Sequence, residues 1–194
     1  MWNGAAPNLK RLLAYSTISH MGFLLLGLLN GTPMGYASAM FYAIAYAVTT
    51  TVAFGVILLL ARAGLEAEEI DDFRGLNQRN PWYALIMLLT MASLAGLPPL
   101  FGFFAKLLVL KAALDAGMLW LVIVAIVFAI IGAFYYLRVI KVMYFDPPAD
   151  ATAIALPADL PFRWILSVNG LALLALGVLW GPLIAWCYRA LGVS

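Results

Sequence analysis

Charge is scarce in this chain of 194 residues: Asp, Glu, Lys and Arg together make up 10% of it, where a soluble domain carries about a quarter. The net charge of +2 is too small to describe a nucleic-acid-binding face. The single cysteine, Cys187, cannot close an internal disulfide, so cysteine usage leaves the redox compartment open. No CxxC pair, His/Cys cluster, GxGxxG turn or P-loop occurs. Nothing therefore points to a nicotinamide dinucleotide, flavin, haem or iron–sulfur cluster bound by the chain itself. No Asp or Glu falls deep within any long apolar run, and His20 is the only histidine.

What is abundant is apolar surface. Hydrophobic residues make up 65% of the sequence, and the mean hydropathy is +1.00. A membrane-crossing helix needs about 20 apolar residues. Five stretches qualify, at residues 12–29, 36–61, 81–113, 118–144 and 162–188. The expected fold is an all-α integral membrane domain of five transmembrane helices over 12–188. A short N-terminal segment, 1–11, precedes it and a tail, 189–194, follows. The Lys10-Arg11 pair before an apolar run also has the pattern of a signal peptide, with Ala37-Ser38-Ala39 as cleavage site. The run is long for that purpose, and four more spans follow.

The third stretch would be roughly 50 Å long as one helix, more than a bilayer core. It contains Pro98-Pro99. Proline donates no intrahelical hydrogen bond and clashes with the carbonyl one turn back, so the third helix is expected to be discontinuous there. Carbonyls freed in lipid must be satisfied by protein or water. Lys106 lies within two turns of the break. A lysine in hydrocarbon is costly, and a broken helix beside a buried charge is a way to build an ion or proton path. The alternative is that Lys106 snorkels toward the end of its helix, as Lys111 is expected to do.

The other polar groups inside the spans are few. His20 lies near Ser16, Thr17 and Ser19 and suits either a proton relay or a buried imidazole bonded to a backbone carbonyl. Ser16, Thr49 and Thr50 are candidates to line a polar path, although Thr49, Thr50 and Thr51 can equally bond back to their own helix. Asn169 is similar. Tyr135, Tyr136, Arg138 and Lys141 end the fourth span and have the look of an interfacial anchor.

Two polar loops separate spans. Glu66, Glu68, Glu69, Asp71 and Asp72 crowd into residues 62–80, and Asp146, Asp150 and Asp159 fall in 145–161. The acidic cluster lacks the ligand spacing of a calcium loop and is expected to be solvated. Lys10, Arg11, Arg62, Arg74, Arg79, Arg138, Lys141 and Arg163 fall on one side of the spans, against only Lys111 and Arg189 on the other. This asymmetry predicts a cytoplasmic N-terminus and a periplasmic C-terminus.

The run Asn8-Leu9-Lys10-Arg11-Leu12-Leu13-Ala14-Tyr15-Ser16-Thr17-Ile18-Ser19-His20-Met21-Gly22 resembles the start of a helix in the antiporter-like subunits of respiratory complex I, the NADH:quinone oxidoreductase. Asp72-Phe73-Arg74-Gly75-Leu76 and Ser93-Leu94-Ala95-Gly96-Leu97-Pro98-Pro99, with Gly102-Phe103-Phe104-Ala105-Lys106, look like the subunit N branch of that family. Tyr135-Tyr136-Leu137-Arg138-Val139-Ile140-Lys141-Val142-Met143-Tyr144-Phe145 is similar to the same branch. The resemblance runs from about Asn8 to the C-terminus. In the large terminal paralogue, span two carries a His and Lys constellation. Here Ala45-Tyr46-Ala47-Val48-Thr49-Thr50-Thr51 has no such group, which favours the subunit N branch.

The resemblance implies a proton-translocating membrane subunit in the bacterial inner membrane. Lys106 then matches the family's essential lysine on a discontinuous helix, in a half-channel opening toward the periplasm. It also implies that NADH, FMN, iron–sulfur clusters and quinone belong to the parent complex and not to this chain. The implied partners are the other membrane-arm subunits, the lipid bilayer and the N-terminal half of the same subunit. Complete family members have about fourteen helices in two inverted repeats, so the five spans here resemble the last five, the expectation for a truncated or split product. Two further readings are a membrane fragment that moves no protons and a subunit of a cation/proton antiporter.

Overall fold

The computed structural model describes residues 8–64, 68–148 and 159–192. Glu66, Asp150, residues 1–7 and residues 193–194 of the expected loops and termini lie outside the described residues.

Among the described residues every long apolar run is helical. Helix α1 spans Leu9–Leu29 and starts where the Asn8 side chain accepts the Arg11 N–H at 2.9 Å. Helix α2, Pro33–Arg62, opens with Thr32 as cap and proline in its first turn, where the missing donor costs nothing. A 3₁₀ turn, Ile70–Phe73, and the one-turn helix α3, Leu76–Arg79, follow. They drive Ile70, Phe73 and Leu76 into one end of the bundle, each about fully buried. Helices α4, Pro81–Ala95, and α5, Phe101–Asp115, run in series, and α6 covers Leu119–Tyr144. Helices α7, Leu160–Val178, and α8, Trp180–Ala190, complete the chain.

Four helices, α1, α2, α6 and α7, are individually long and apolar enough to cross a membrane. At 15 residues each, α4 and α5 are only about 22 Å long and make up the third expected span together. The fifth expected span, 162–188, is not one helix. It divides at Leu179 into α7 and α8. Pro182 is the cause: it has no N–H for the Val178 carbonyl, and its ring crowds that oxygen.

Two apolar clusters fill the bundle. One gathers Leu9, Leu13, Leu60, Phe73, Tyr83 and Met143, and the other gathers Phe23, Phe41, Phe101, Val109, Ile184 and Cys187. On α1, His20 falls between the residues that feed the two clusters. Outside, α6 exposes Trp120, Phe128, Ile130 and Phe134, side chains suited to lipid or to other apolar helices. Helix α7 packs against the α4–α5 junction, and a Cβ on Gly177 would overlap the Pro99 carbonyl.

The described acidic residues of the 62–80 loop serve as caps and ion pairs. Asp72 accepts the backbone N–H of Glu68 and Glu69 at 3.0 and 2.8 Å. Glu68 pairs with Lys10 at 2.8 Å and Asp71 with Arg74 at 3.6 Å. Among the described residues no group of His, Cys, Asp and Glu side chains is placed to hold a metal.

Candidate functional site

The last four carbonyls of a helix have no partner inside it, so each needs one elsewhere. At the end of α4 all four can be accounted for. Gly96 turns left-handed, at φ 86° and ψ 42°, and its N–H donates to the Ala92 and Ser93 carbonyls at 3.1 and 3.0 Å. The Leu97 N–H donates to Ala92 at 3.0 Å. This is a Schellman closure, and glycine is the residue that adopts its backbone without strain. The Leu94 and Ala95 carbonyls remain. In a continuous helix their donors would be the N–H groups of residues 98 and 99, but these are prolines.

Lys106 takes their place. Its Nζ donates to Leu94 O at 2.8 Å and to Ala95 O at 3.1 Å. Side chains lean toward the N-terminus of their helix, so the stem runs back from α5 to the end of α4, away from the opposite end of α5. The negative end of the α4 dipole faces the ammonium, and the cation also lies 5.6 Å from the centre of the Phe23 ring. Ser93 Oγ accepts the Gly102 N–H at 3.0 Å, which ties the start of α5 to the end of α4. Lys106 therefore does not snorkel, whereas Lys111 is exposed.

His20 is buried, 6% exposed. Its partners are two tyrosine hydroxyls and no backbone carbonyl: Nδ1 lies 2.7 Å from Tyr42 Oη and Nε2 lies 3.2 Å from Tyr136 Oη. The Tyr46 ring stacks on the imidazole at 4.7 Å, and its hydroxyl donates to Thr17 Oγ1 at 2.8 Å. Tyr136 corrects the anchor expectation. Tyr135 is about half exposed, but Tyr136 is 4% exposed and belongs to the His20 cluster. The available signal was its spacing: Tyr136, Val139 and Met143 share one buried face of α6.

Two cavities meet at His20. A cleft of about 660 Å³ between α1 and α6 is bordered by Lys106, His20, Ser16 and Tyr136, and farther along by Asn8, Arg11 and Glu69. A void of about 10 Å³ is bordered by His20, Tyr42, Thr49, Ser93 and Leu94. Ser16 thus borders the cleft and Thr49 the void. Thr50 borders neither and donates to the Tyr46 carbonyl at 2.8 Å. Thr49 and Thr51 likewise bond back to Ala45 and Ala47, at 2.7 and 2.8 Å, and Asn169 bonds to Ile165 at 2.9 Å. The cleft runs from Lys106 to the end of the bundle that carries Asn8, Arg11 and Glu69.

The sequence profile described as "NADH:quinone oxidoreductase/Mrp antiporter, TM" matches residues 5–132. NADH-quinone oxidoreductase subunit N of Thiobacillus denitrificans is 55% identical over 190 residues, which cover 98% of this chain and 39% of the relative. Among solved structures, respiratory complex I from Thermus thermophilus with bound aureothin contains a chain of 32% identity and TM-score 0.78, over 93% of this chain and 40% of that one. The Mrp complex from Dietzia sp. DQ12-45-1b shares the fold, with TM-score 0.81 at 23% identity over 96% of this chain and 42% of that one. The chain spans about two-fifths of the length of the curated relatives it matches. With its broken helix, buried lysine and profile match over most of its length, the chain belongs to the NADH:quinone oxidoreductase/Mrp antiporter transmembrane family.

Proposed function

We propose that this chain is the C-terminal, proton-translocating part of an antiporter-like subunit of NADH:quinone oxidoreductase in a bacterial inner membrane. Electron transfer from NADH through FMN and iron–sulfur clusters to quinone belongs to other subunits of that complex. This chain contributes Lys106 and His20, and its partners are neighbouring membrane-arm subunits and the N-terminal portion of the same subunit. The N-terminus and the 62–80 loop face the cytoplasm, the C-terminus faces the periplasm, and the cleft beside Lys106 opens on the cytoplasmic side.

One observation carries this reading: an ammonium has three hydrogens, and two of those on Lys106 are committed to the Leu94 and Ala95 carbonyls. The third is free for exchange with water in the cleft. A neutral amine still has two hydrogens and keeps both bonds. The proton can therefore leave and return while the helix end stays closed. Charge changes nearby load or unload that proton through the low-dielectric surroundings. Membrane-arm coupling requires a group of this kind.

The test is a complete, assembled oxidoreductase carrying Lys106→Ala or Lys106→Arg. Proton pumping and coupled quinone reduction are expected to fall in both, since arginine keeps its charge but does not deprotonate. Normal pumping in both variants overturns the proposal and leaves Lys106 a structural cap of α4. Sodium transport in place of proton transport favours the antiporter reading.

A further inference from the structure

Two helices open with an arginine and a tryptophan. Arg79-Asn80-Pro81-Trp82 leads into α4, and Arg163-Trp164 lies in the first turn of α7. The structure sets these two starts side by side. The Trp82 indole N–H donates to Ser167 Oγ at 2.8 Å, and one turn along a Cβ on Gly170 would lie 2.7 Å from Ile86 Cγ2. The two helices thus run in the same direction, with 82 beside 167 and 86 beside 170. Ser167 Oγ in turn donates to the Arg163 carbonyl at 2.8 Å, one turn nearer the start of α7. Side chains lean toward the start of their helix, so Arg163 extends to the end of the bundle where Arg79 precedes α4. A surface groove of about 530 Å³ lies there, bordered by Arg79, Asn80, Pro81, Trp82 and Leu85. It is polar at one end and apolar at the other, and Trp82 and Leu85 are both exposed.

We propose that this groove binds one anionic glycerophospholipid, with its phosphate between Arg79 and Arg163 and an acyl chain along Trp82 and Leu85. The shape of the groove is that of an amphiphile, and its charge selects the head. A guanidinium presents paired N–H groups that match phosphate oxygens. Arg163 Nε is buried and has no hydrogen-bond partner. A buried donor in that state is costly, and a phosphate oxygen supplies its acceptor. Tryptophan favours the depth of the lipid headgroups. With its N–H given to Ser167, the Trp82 indole is held as a wall for the chain. The carboxylate at the start of α7 does not compete: Asp159 accepts the Phe162 N–H at 3.2 Å and pairs with Arg62 at 3.4 Å. Arg62 is itself engaged, over the Phe162 ring at 5.4 Å. The local balance is therefore positive, which suits an anionic lipid over a zwitterionic one. The choice of leaflet rests on the orientation proposed above; the site does not.

The chain is placed in nanodiscs of equal parts phosphatidylglycerol and phosphatidylcholine with matched acyl chains. Native mass spectrometry of the released chain is expected to show one phosphatidylglycerol retained in preference to phosphatidylcholine. Arg79→Gln and Arg163→Gln are expected to weaken that preference about fivefold each, and about 25-fold together. Arg138→Gln removes an exposed charge from α6 and is expected to leave the preference unchanged. Arg163→Lys keeps the charge without the fork, serves if the glutamine variants do not fold, and is expected to weaken retention less than Arg163→Gln. Phosphatidylglycerol with a photoreactive acyl chain is expected to label residues 81–85. Equal retention of the two lipids, an equal loss in Arg138→Gln, or labelling confined to other helices overturns the site. Displacement of the lipid by excess inorganic phosphate overturns it as well, because the site then reads the anion and does not seat the chain. Pumping in Lys106→Ala bears on proton transfer alone, so the proposed function and the lipid site fail separately.

Discussion

Replacing Lys106 with methionine keeps an unbranched stem in place and removes the ammonium alone. Leu94 O and Ala95 O then lose the donor that the two prolines prevent their own helix from supplying. A buried acceptor left unsatisfied costs about 1–3 kcal/mol, so the pair is expected to cost about 2–6 kcal/mol. The cleft borders the same lysine and admits water to one side of the site, which moves the expectation to the lower half of that range. Loss of the cation over Phe23 adds about 0.5–1 kcal/mol. The net expectation is a loss of roughly 2.5–5 kcal/mol. Unfolding of the purified chain by SDS titration in mixed micelles measures it, with Lys111→Met as the exposed control. A Lys106→Met variant within about 0.5 kcal/mol of the parent, the range of ordinary surface changes, would refute the account of how α4 is closed.

Gly96→Ala places an L-residue at φ 86° and a Cβ 3.0 Å from Lys106 Cδ, and the same titration is expected to show a loss of about 1–2 kcal/mol. An unchanged midpoint would mean that the turn after Ala95 is not left-handed. The Lys10 ammonium bonded to Glu68 holds that carboxyl below the usual carboxylate range, so its stabilising effect is present at neutral pH and is lost as pH falls through the lowered value. Hydrogen exchange at the Leu9 N–H, which donates to Glu68 O at 2.6 Å, should be protected at neutral pH and faster in acid, beyond the intrinsic pH trend, whereas Glu68→Gln should lack that extra step. In a Cys187→Ser background, cysteines at Glu68 and Thr32 should be labelled from opposite faces of the membrane. An impermeant reagent outside intact cells that reaches position 68 and not 32 reverses the orientation.

The parts of the site that depend on backbone chemistry were legible in the sequence. Pro98-Pro99 breaks a helix wherever it occurs in one, and Lys106 is conspicuous in an apolar run. What the linear pattern could not supply was register between helices. It left protein and water both open as partners of the freed carbonyls, whereas the structure shows the lysine reaching them itself because the α5 side chains lean back over the junction. Tyr136 was hidden by its neighbours: Tyr135, Arg138 and Lys141 make a plausible surface cluster, and only the burial of one α6 face separates Tyr136 from them. The fifth span was read as continuous because hydropathy does not register the donor missing at Pro182. Thr50 was a candidate on polarity alone, which cannot distinguish a cavity-lining hydroxyl from one bonded to its own helix.

Gly177 gives the junction a further property. With α7 pressed against the Pro99 carbonyl, Ser93 holding the Gly102 amide and Lys106 closing α4, the interrupted helix is fastened on three sides. A segment held in this way is a poor hinge. Under the function proposed above, the moving parts are then small objects, such as a hydroxyl turning or a water changing places, and these move in picoseconds to nanoseconds, not in the microseconds to milliseconds of domain hinges. A proton exchanged there under that proposal answers a change of electric field without a mechanical stroke along the membrane.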